Sequence, residues 1–295
     1  MTRGPIHRRV TTLCVLCCAS LTVACSYDEQ SPRVSVRASQ LSLADAAPET
    51  SAPVTVTLTF DDQRVSQSIV REALRSAGRL KGTFFVISSY VNDAPGDPPD
   101  YHPGKLSLEQ LLDLEQDGHE IGAHTRTHSD LPTLSSEQLS DEICGSLSEL
   151  RSYGLGAEQP IVSFAYPFGA YDDGVEAAVE KCGFTSARSV QAGPEHIPAK
   201  DAYATRTGPK GGSITKDDSV ETIQGWIDGA DAGDWLQLIW HDIASPEYEP
   251  RDEYYQTRED FIEVLHFLAE EAAQGRIAVK TVAQVTRDSS PETSP

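Results

Sequence analysis

Apolar and polar positions change rhythm several times along this chain. The stretch "VTVTLTF" at 54–60 alternates Val, Leu and Phe with Thr, the period-two signature of a strand. "SIVREALRSAGRL" then takes up helical spacing, with a glycine near its expected end. "GTFFVIS" reads as a buried strand and "SLEQLLDLEQDG" as a helix stopped at Gly118. The alternation continues through strand "HEIGAH", helix "SEQLSDEICGSLSELRSYG", strand "VSFAYPFG", helix "DDGVEAAVEKCG" and strand "TSARS". Strands near "AYATR" and "WLQLIWH" flank the helix "DSVETIQGWIDGA", and the helix "TREDFIEVLHFLAEEAAQ" precedes a last strand, "IAVKT". No short repeat is present.

Strands that alternate with helices of this length imply βαβ units and a parallel sheet. The expected fold class is α/β, a distorted (β/α) barrel with about seven parallel strands. Such folds gather their chemistry at the C-terminal ends of the strands. The polar residues obey that rule. Asp61 and Asp62 end "TLTF", His124 ends "EIGA", Pro167-Phe168-Gly169 end "SFAY", Arg206 ends "YAT", and His241-Asp242 end "LQLIW". Strand ends converge on one face of a barrel, so these groups are expected to be neighbours.

The termini read differently. Residues 1–25 carry Arg3, Arg8 and Arg9 ahead of the apolar run "VTTLCVLCCASLTVAC", a signal segment of lipoprotein type with Cys25 as the lipidated residue. Thr22 is unusual three positions before that cysteine, and the Arg8–Arg9 pair is weak evidence for the twin-arginine route. Residues 26–52, rich in Ser, Ala, Pro and acids, read as a flexible linker, and 287–295 as a polar tail. The chain is therefore expected to be exported to the cell envelope, lipid-anchored or else secreted, and to meet a membrane only through its N-terminal anchor. Four of its six cysteines lie in the signal. The remaining two, Cys144 and Cys182, are either a disulfide or two buried thiols. With 24 Lys+Arg against 45 Asp+Glu, the net charge of −21 argues against nucleic acid as a partner.

Two histidines and a carboxylate make a ligand set that leaves positions open on a metal, as a hydrolytic site requires. His124 and His128 with one carboxylate of the Asp61–Asp62 pair supply such a set. The other carboxylate is then free to take a proton from the attacking water, and His241 to give one to the leaving group.

Taken in order, "TFDD", "HTRTH", "PFG" and the late "WHD" resemble the motifs of the NodB-like polysaccharide deacetylases, carbohydrate esterase family 4. "KGTFFV" and "GHEIGAHTRTHSDL" extend the likeness, which covers about residues 54–285. The resemblance implies a deacetylase-like catalytic domain over 53–286 that removes acetyl groups from carbohydrate with the help of a divalent metal, zinc being the first assignment. It implies Asp61 as base, Asp62, His124 and His128 as metal ligands, His241 as acid, and the backbone N–H of Phe168 as an oxyanion donor.

There are departures. Ala165 stands where the family often has an arginine that orients the base, Gln63 where it commonly has glycine, and Phe168 where it usually has tyrosine. Arg206, ending a later strand, is the expected substitute cation. Asp234 in "DAGDW" mimics another family motif, yet about seven strand residues, roughly 23 Å, would separate it from His241, so it reads as a turn residue on the opposite face. Pro167, Tyr171 and Trp240 are expected at the substrate, the last two as stacking faces or as core. His119 and His266 read as structural or surface residues, and the insertion holding Tyr101 and His102 as a surface loop. The expected activity is removal of acetyl groups, N-acetyl before O-acetyl, from an envelope or extracellular polysaccharide or oligosaccharide. The alternatives are a carbohydrate-binding relic of the same fold and a small-molecule amide hydrolase.

Overall fold

The computed structural model describes residues 52–96 and 102–288. The signal segment with Cys25, the linker up to residue 51, Tyr101, and the tail from 289 lie outside the described residues. Among the described residues are ten strands: β1 (Val54–Asp61), β2 (Gly82–Val86), β3 (Glu120–Ala123), β4 (Ser163–Ala165), β5 (Ser186–Arg188), β6 (Glu195–His196), β7 (Asp234–Trp240), β8 (Asp242–Ala244), β9 (Tyr255–Thr257) and β10 (Ile277–Val279). The helices are α1 (Val70–Ser76), α2 (Leu108–Gln116), α3 (Ser136–Ser152), α4 (Asp173–Lys181), α5 (Val220–Asp228), α6 (Arg258–Ala273) and α7 (Val282–Asp288). Helix α7 carries the fold two residues past the boundary expected at 286.

Strands β5, β4, β3, β2, β1 and β7 lie side by side in that order, all parallel. Strand β7 takes one side of β1. The other side is shared, β10 pairing with Val54–Val56 and β2 with Leu58–Asp61. That makes seven parallel strands, as the sequence implied, with the two-residue β6 antiparallel on β7. The sheet curls into a distorted barrel. No regular strand joins β5 to β7; instead Thr205 bridges Arg188 and Ser213 bridges Ile239. The strand expected at "AYATR" is reduced to that single bridge.

Strand parity sets what faces inward. Val56, Leu58 and Phe60 of β1 pack outward among helix residues such as Leu74 and Leu265. The intervening threonines face the barrel interior, where Thr57 accepts a hydrogen bond from Trp235 Nε1 at 2.7 Å. The same period of two puts Leu236, Leu238 and Trp240 of β7 in the outer core, and Phe85, Ala165 and Trp235 in the inner one. Helix α7 closes the lower end, its first amides donating to Thr83 and to buried Glu120.

Local chemistry explains the helix starts. Ser107, Ser135, Asp172, Ser219 and Thr257 each cap the helix that follows by accepting a first-turn N–H. Cys144 on α3 and Cys182 after α4 form a disulfide with Cα atoms 5.1 Å apart, which settles the choice left open by the sequence.

Candidate active site

Parity also delivers the site residues. Asp61 continues the inward series of Thr55, Thr57 and Thr59. His124 follows β3, Arg188 ends β5 and His241 follows β7, all in the inward register. Chemistry-bearing side chains from four strand ends therefore meet at the upper mouth of the barrel.

Asp62 Oδ1 lies 3.7 Å from His124 Nε2 and 3.5 Å from His128 Nε2, and the three ligand atoms all fall within 4.8 Å of one another. Atoms ~2.1 Å from a shared ion are roughly 3.4 Å apart at tetrahedral angles, so the trio fits one divalent cation. Asp62 Oδ1 is buried without a hydrogen-bond partner, as a ligand atom would be. The second oxygen, Oδ2, is taken by Arg64 Nη2 at 2.9 Å and Nε at 3.1 Å. The carboxylate thus offers a single oxygen inward. His124 Nδ1 hydrogen-bonds the Ala165 carbonyl at 2.7 Å, which turns Nε2 towards Asp62.

Burial pushes His124 down to about 4 and lowers His128, so both rings are held neutral, the form that ligates. Burial alone would raise Asp62. Nearby positive groups outweigh it, His124 and His241 when protonated, then Lys105 and Arg64, and hold its carboxyl well below the usual range.

The turns that present these groups run through left-handed backbone, with Asp62 at φ 71°, Gln63 at 40°, His128 at 64° and Phe168 at 60°. Non-glycine residues there are strained and need outside support. Gln63 provides its own. Its side-chain amide donates to the Ile87 carbonyl at 2.8 Å and accepts the Ile87 N–H at 3.0 Å, as a strand partner would. The replacement of glycine is thereby accommodated. The histidine turn is fastened from α3, where Glu142 accepts the N–H groups of Arg126 and Thr127.

Asp61 has a cation beside it, but not the expected one. Arg188 Nη2 donates to Asp61 Oδ2 at 2.5 Å, with the guanidinium over the Phe85 ring. Arg206 is exposed and bonds the Ala192 carbonyl instead. The reason is geometric: Thr205 takes the inward, buried position beside Arg188, so its neighbour turns outward. Arg188 pairs in register with Ala165, so the guanidinium has moved one strand over from its usual place in the family. Its position inward at the end of "TSARS" was a signal the residue type alone did not flag.

His241 Nε2 is 3.9 Å from Asp61 Oδ2. Strands β1 and β7 part beyond the Phe60–Trp240 pair, and buried Gln67 spans the split. Its Nε2 donates to the Asp61 carbonyl at 2.6 Å and to the His241 carbonyl at 2.8 Å. Nothing in the sequence singled this residue out.

Three expected substrate residues lie elsewhere. Trp240 is 1% exposed and packs outward against Phe60 and Phe261, on the wrong strand face for the cleft. Pro167 is buried beneath its turn. Tyr171 stacks on Tyr166 and bonds Gln191, away from the cleft wall. Phe168, turned out by its left-handed backbone, reaches the cleft and lies edge-on to His128. Asp234 sits at the far end of β7, paired with His196, and His119 is buried while His266 is exposed, as expected.

The cleft over these residues measures 490 Å³ and is also lined by Lys210, Asp252 and Tyr254. A cavity of 340 Å³ at the other end of the strands has neither histidine nor carboxylate in its wall.

Residues 49–187 match the family model described as polysaccharide deacetylase. Chitin deacetylase 1 of Saccharomyces cerevisiae is 33% identical over 127 residues, 43% of this chain and 36% of that protein. A peptidoglycan N-acetylmuramic acid deacetylase of Bacillus subtilis is 26% identical over 132 residues, 44% of each. The match thus spans less than half the length of either curated relative. The fold is shared with the Xyl-CE4 domain of a multidomain xylanase from the hindgut metagenome of Trinervitermes trinervoides, at a TM-score of 0.53 and 17% identity over 80% of this chain and 91% of that one. It is shared as well with the T48 deacetylase solved with substrate, at 0.51 and 18% over 82% and 94%. Residues 49–187 thus match the polysaccharide deacetylase family, and the barrel built around them shares its fold with a carbohydrate esterase family 4 domain.

Proposed function

We propose that this protein is a divalent-metal-dependent hydrolase that removes acetyl groups, N-acetyl rather than O-acetyl, from a cell-envelope or extracellular polysaccharide. The observation that carries the proposal is the orphaned Asp62 Oδ1 facing the Nε2 atoms of His124 and His128, with Asp61 and His241 beside them. N-acetyl chemistry is favoured by the named substrates of both curated relatives.

Asp62, His124 and His128 would hold the ion, for which zinc suits a mixed histidine and carboxylate set. Such an ion supplies Lewis-acid chemistry, polarising the acetyl carbonyl and making water a stronger acid. Asp61, oriented through Oδ2 by Arg188, takes the proton of the attacking water on its free Oδ1. The Phe168 N–H steadies the developing oxyanion. His241 gives its Nε2 proton to the departing amine. Arg188 is a positioning residue, acting through Asp61.

Purified protein loaded with zinc should release acetate from N-acetylglucosamine oligomers faster than from O-acetylated xylan, and Asp61→Asn should abolish release. Metal binding without acetate release from any acetylated glycan would instead establish the carbohydrate-binding relic, a reading weakened by the support that Gln63 gives its own turn and Arg188 gives in place of the arginine missing at Ala165. The proposal includes export and lipid attachment at Cys25, read from residues 1–25; fatty-acid labelling that persists in Cys25→Ala would overturn the anchor.

A further inference from the structure

Among the described residues, three large apolar side chains stand exposed: Phe168 at 67%, Val190 at 40% and Tyr254 at 41%. All three line the candidate active-site cleft. Exposed apolar surface gathered in one concave site marks what the site receives. The three are divided between two sides. Phe168 lies 4.7 Å from the His128 ring, on the side of the proposed metal. The Tyr254 ring lies 5.7 Å from His241, tilted by 46°.

Resting on the deacetylase reading above, we propose that Tyr254 is the sugar platform of this cleft, taking the C–H face of a pyranose ring on the leaving-group side. The argument follows from the chemistry of the bond. The acid must reach the nitrogen that departs with the sugar, so whatever borders His241 borders the ring carrying that nitrogen. A gluco-configured pyranose has equatorial hydroxyls around its edge and axial C–H bonds on its faces. A tyrosine ring, apolar on its face with a polar tip, matches such a surface.

The segment carrying Tyr254 is built to hold it there. The Tyr254 carbonyl accepts the Asp242 N–H at 3.2 Å, one residue beyond His241. Its own N–H donates to Asp252 Oδ1 at 2.9 Å. Strand β9 begins at the next residue and pairs with β8, registering Tyr255 on Asp242. Arg64 ties the same region to the aspartate turn through Asp242 at 2.6 Å and Asp252 at 3.4 Å. Tyr254 is thus fixed to the residues that carry both the acid and a proposed metal ligand. It lies beyond residues 49–187, the part matched by the family model.

The test uses the zinc-loaded protein and two probes, a β-1,4-linked N-acetylglucosamine tetramer and p-nitrophenyl acetate, which has no sugar. Tyr254→Ala should lower the ratio of kcat/KM on the tetramer to kcat/KM on the aryl ester by about tenfold or more, chiefly through KM. Tyr254→Trp should keep most of the ratio. An unchanged ratio in Tyr254→Ala, or equal losses on both probes, would overturn the platform. Calorimetric titration of the tetramer separates this from the deacetylase reading. Binding that weakens about tenfold in Tyr254→Ala, in a protein that releases no acetate, keeps the platform and overturns the activity. Acetate release with binding indifferent to Tyr254 does the reverse.

Discussion

Arg188 and Asp61 are 127 residues apart in the chain and stand on strands separated by three others, yet the guanidinium lies 2.5 Å from the carboxylate across the barrel mouth. The pair is almost fully buried, and Asp61 Oδ1 is left without a partner, facing the cleft. Replacing Arg188 with methionine should leave metal content near wild type and cut turnover by about 100-fold or more, the scale of a misoriented general base. Arg206→Ala should stay within about twofold, because its guanidinium serves only a distant carbonyl. Acetate release measured beside metal analysis checks both.

Gln67 holds the Asp61 and His241 carbonyls with one amide group where β1 and β7 separate. Gln67→Ala strands two buried carbonyl oxygens and should cost about 1–3 kcal/mol in urea unfolding. Because the same amide fixes the spacing of the proposed base and acid, kcat should fall more than KM rises. A stability loss with kcat intact would confine Gln67 to the scaffold.

Zinc held by the folded trio would have no preformed site in the unfolded chain, so it should stabilise the protein by about 2.7 kcal/mol at a hundredfold excess over Kd. His128→Ala and Asp62→Asn should abolish that thermal shift. Burial holds His124 near 4, well below a free imidazole, so proton competition for its Nε2 belongs to the range approaching pH 4. Zinc affinity should therefore fall as pH 4 is approached, readable by titration calorimetry.

His119 is a buried ring whose Nδ1 accepts the Gly82 N–H at 3.2 Å, and burial lowers it to about 4. The unfolded chain binds this proton from about pH 6.5 downward, whereas the folded one resists until about 4. Stability contributed by His119 is thus fully present above pH 6.5 and lost as pH falls towards 4, by on the order of 3 kcal/mol. His119→Asn keeps an acceptor for Gly82 without the titration, and should flatten that part of the stability profile. Unfolding midpoints at pH 4.5, 5.5 and 6.5 decide it.

The local rhythm of "VTVTLTF" was enough to predict β1, and its parity carries through to Asp61, so the strand, its inward face and the placement of Asp61 were legible together. The same holds for His124 after "EIGA". Strand β7 was harder. "DWLQLIW" is buried on both faces, its apolar run hides the alternation, and Trp240 reads as a cleft residue when it belongs to the outer core. Arg188 could be placed on its strand but not opposite Asp61.

What the chain's sequence determined by itself was therefore local: which segments extend, which coil, which residues end each strand, and which types among them can bind metal or move protons. Those properties follow from backbone sterics and a side-chain period of two or 3.6, which act between near neighbours. Only the tertiary structure decided that Arg188 rather than Arg206 supports Asp61, that Gln67 bridges Asp61 and His241, and that Tyr254 reaches the cleft. Each of those facts depends on how far the sheet curls and in what register distant strands meet. Register and curl are set by the packing of the whole sheet at once, which no window of sequence contains.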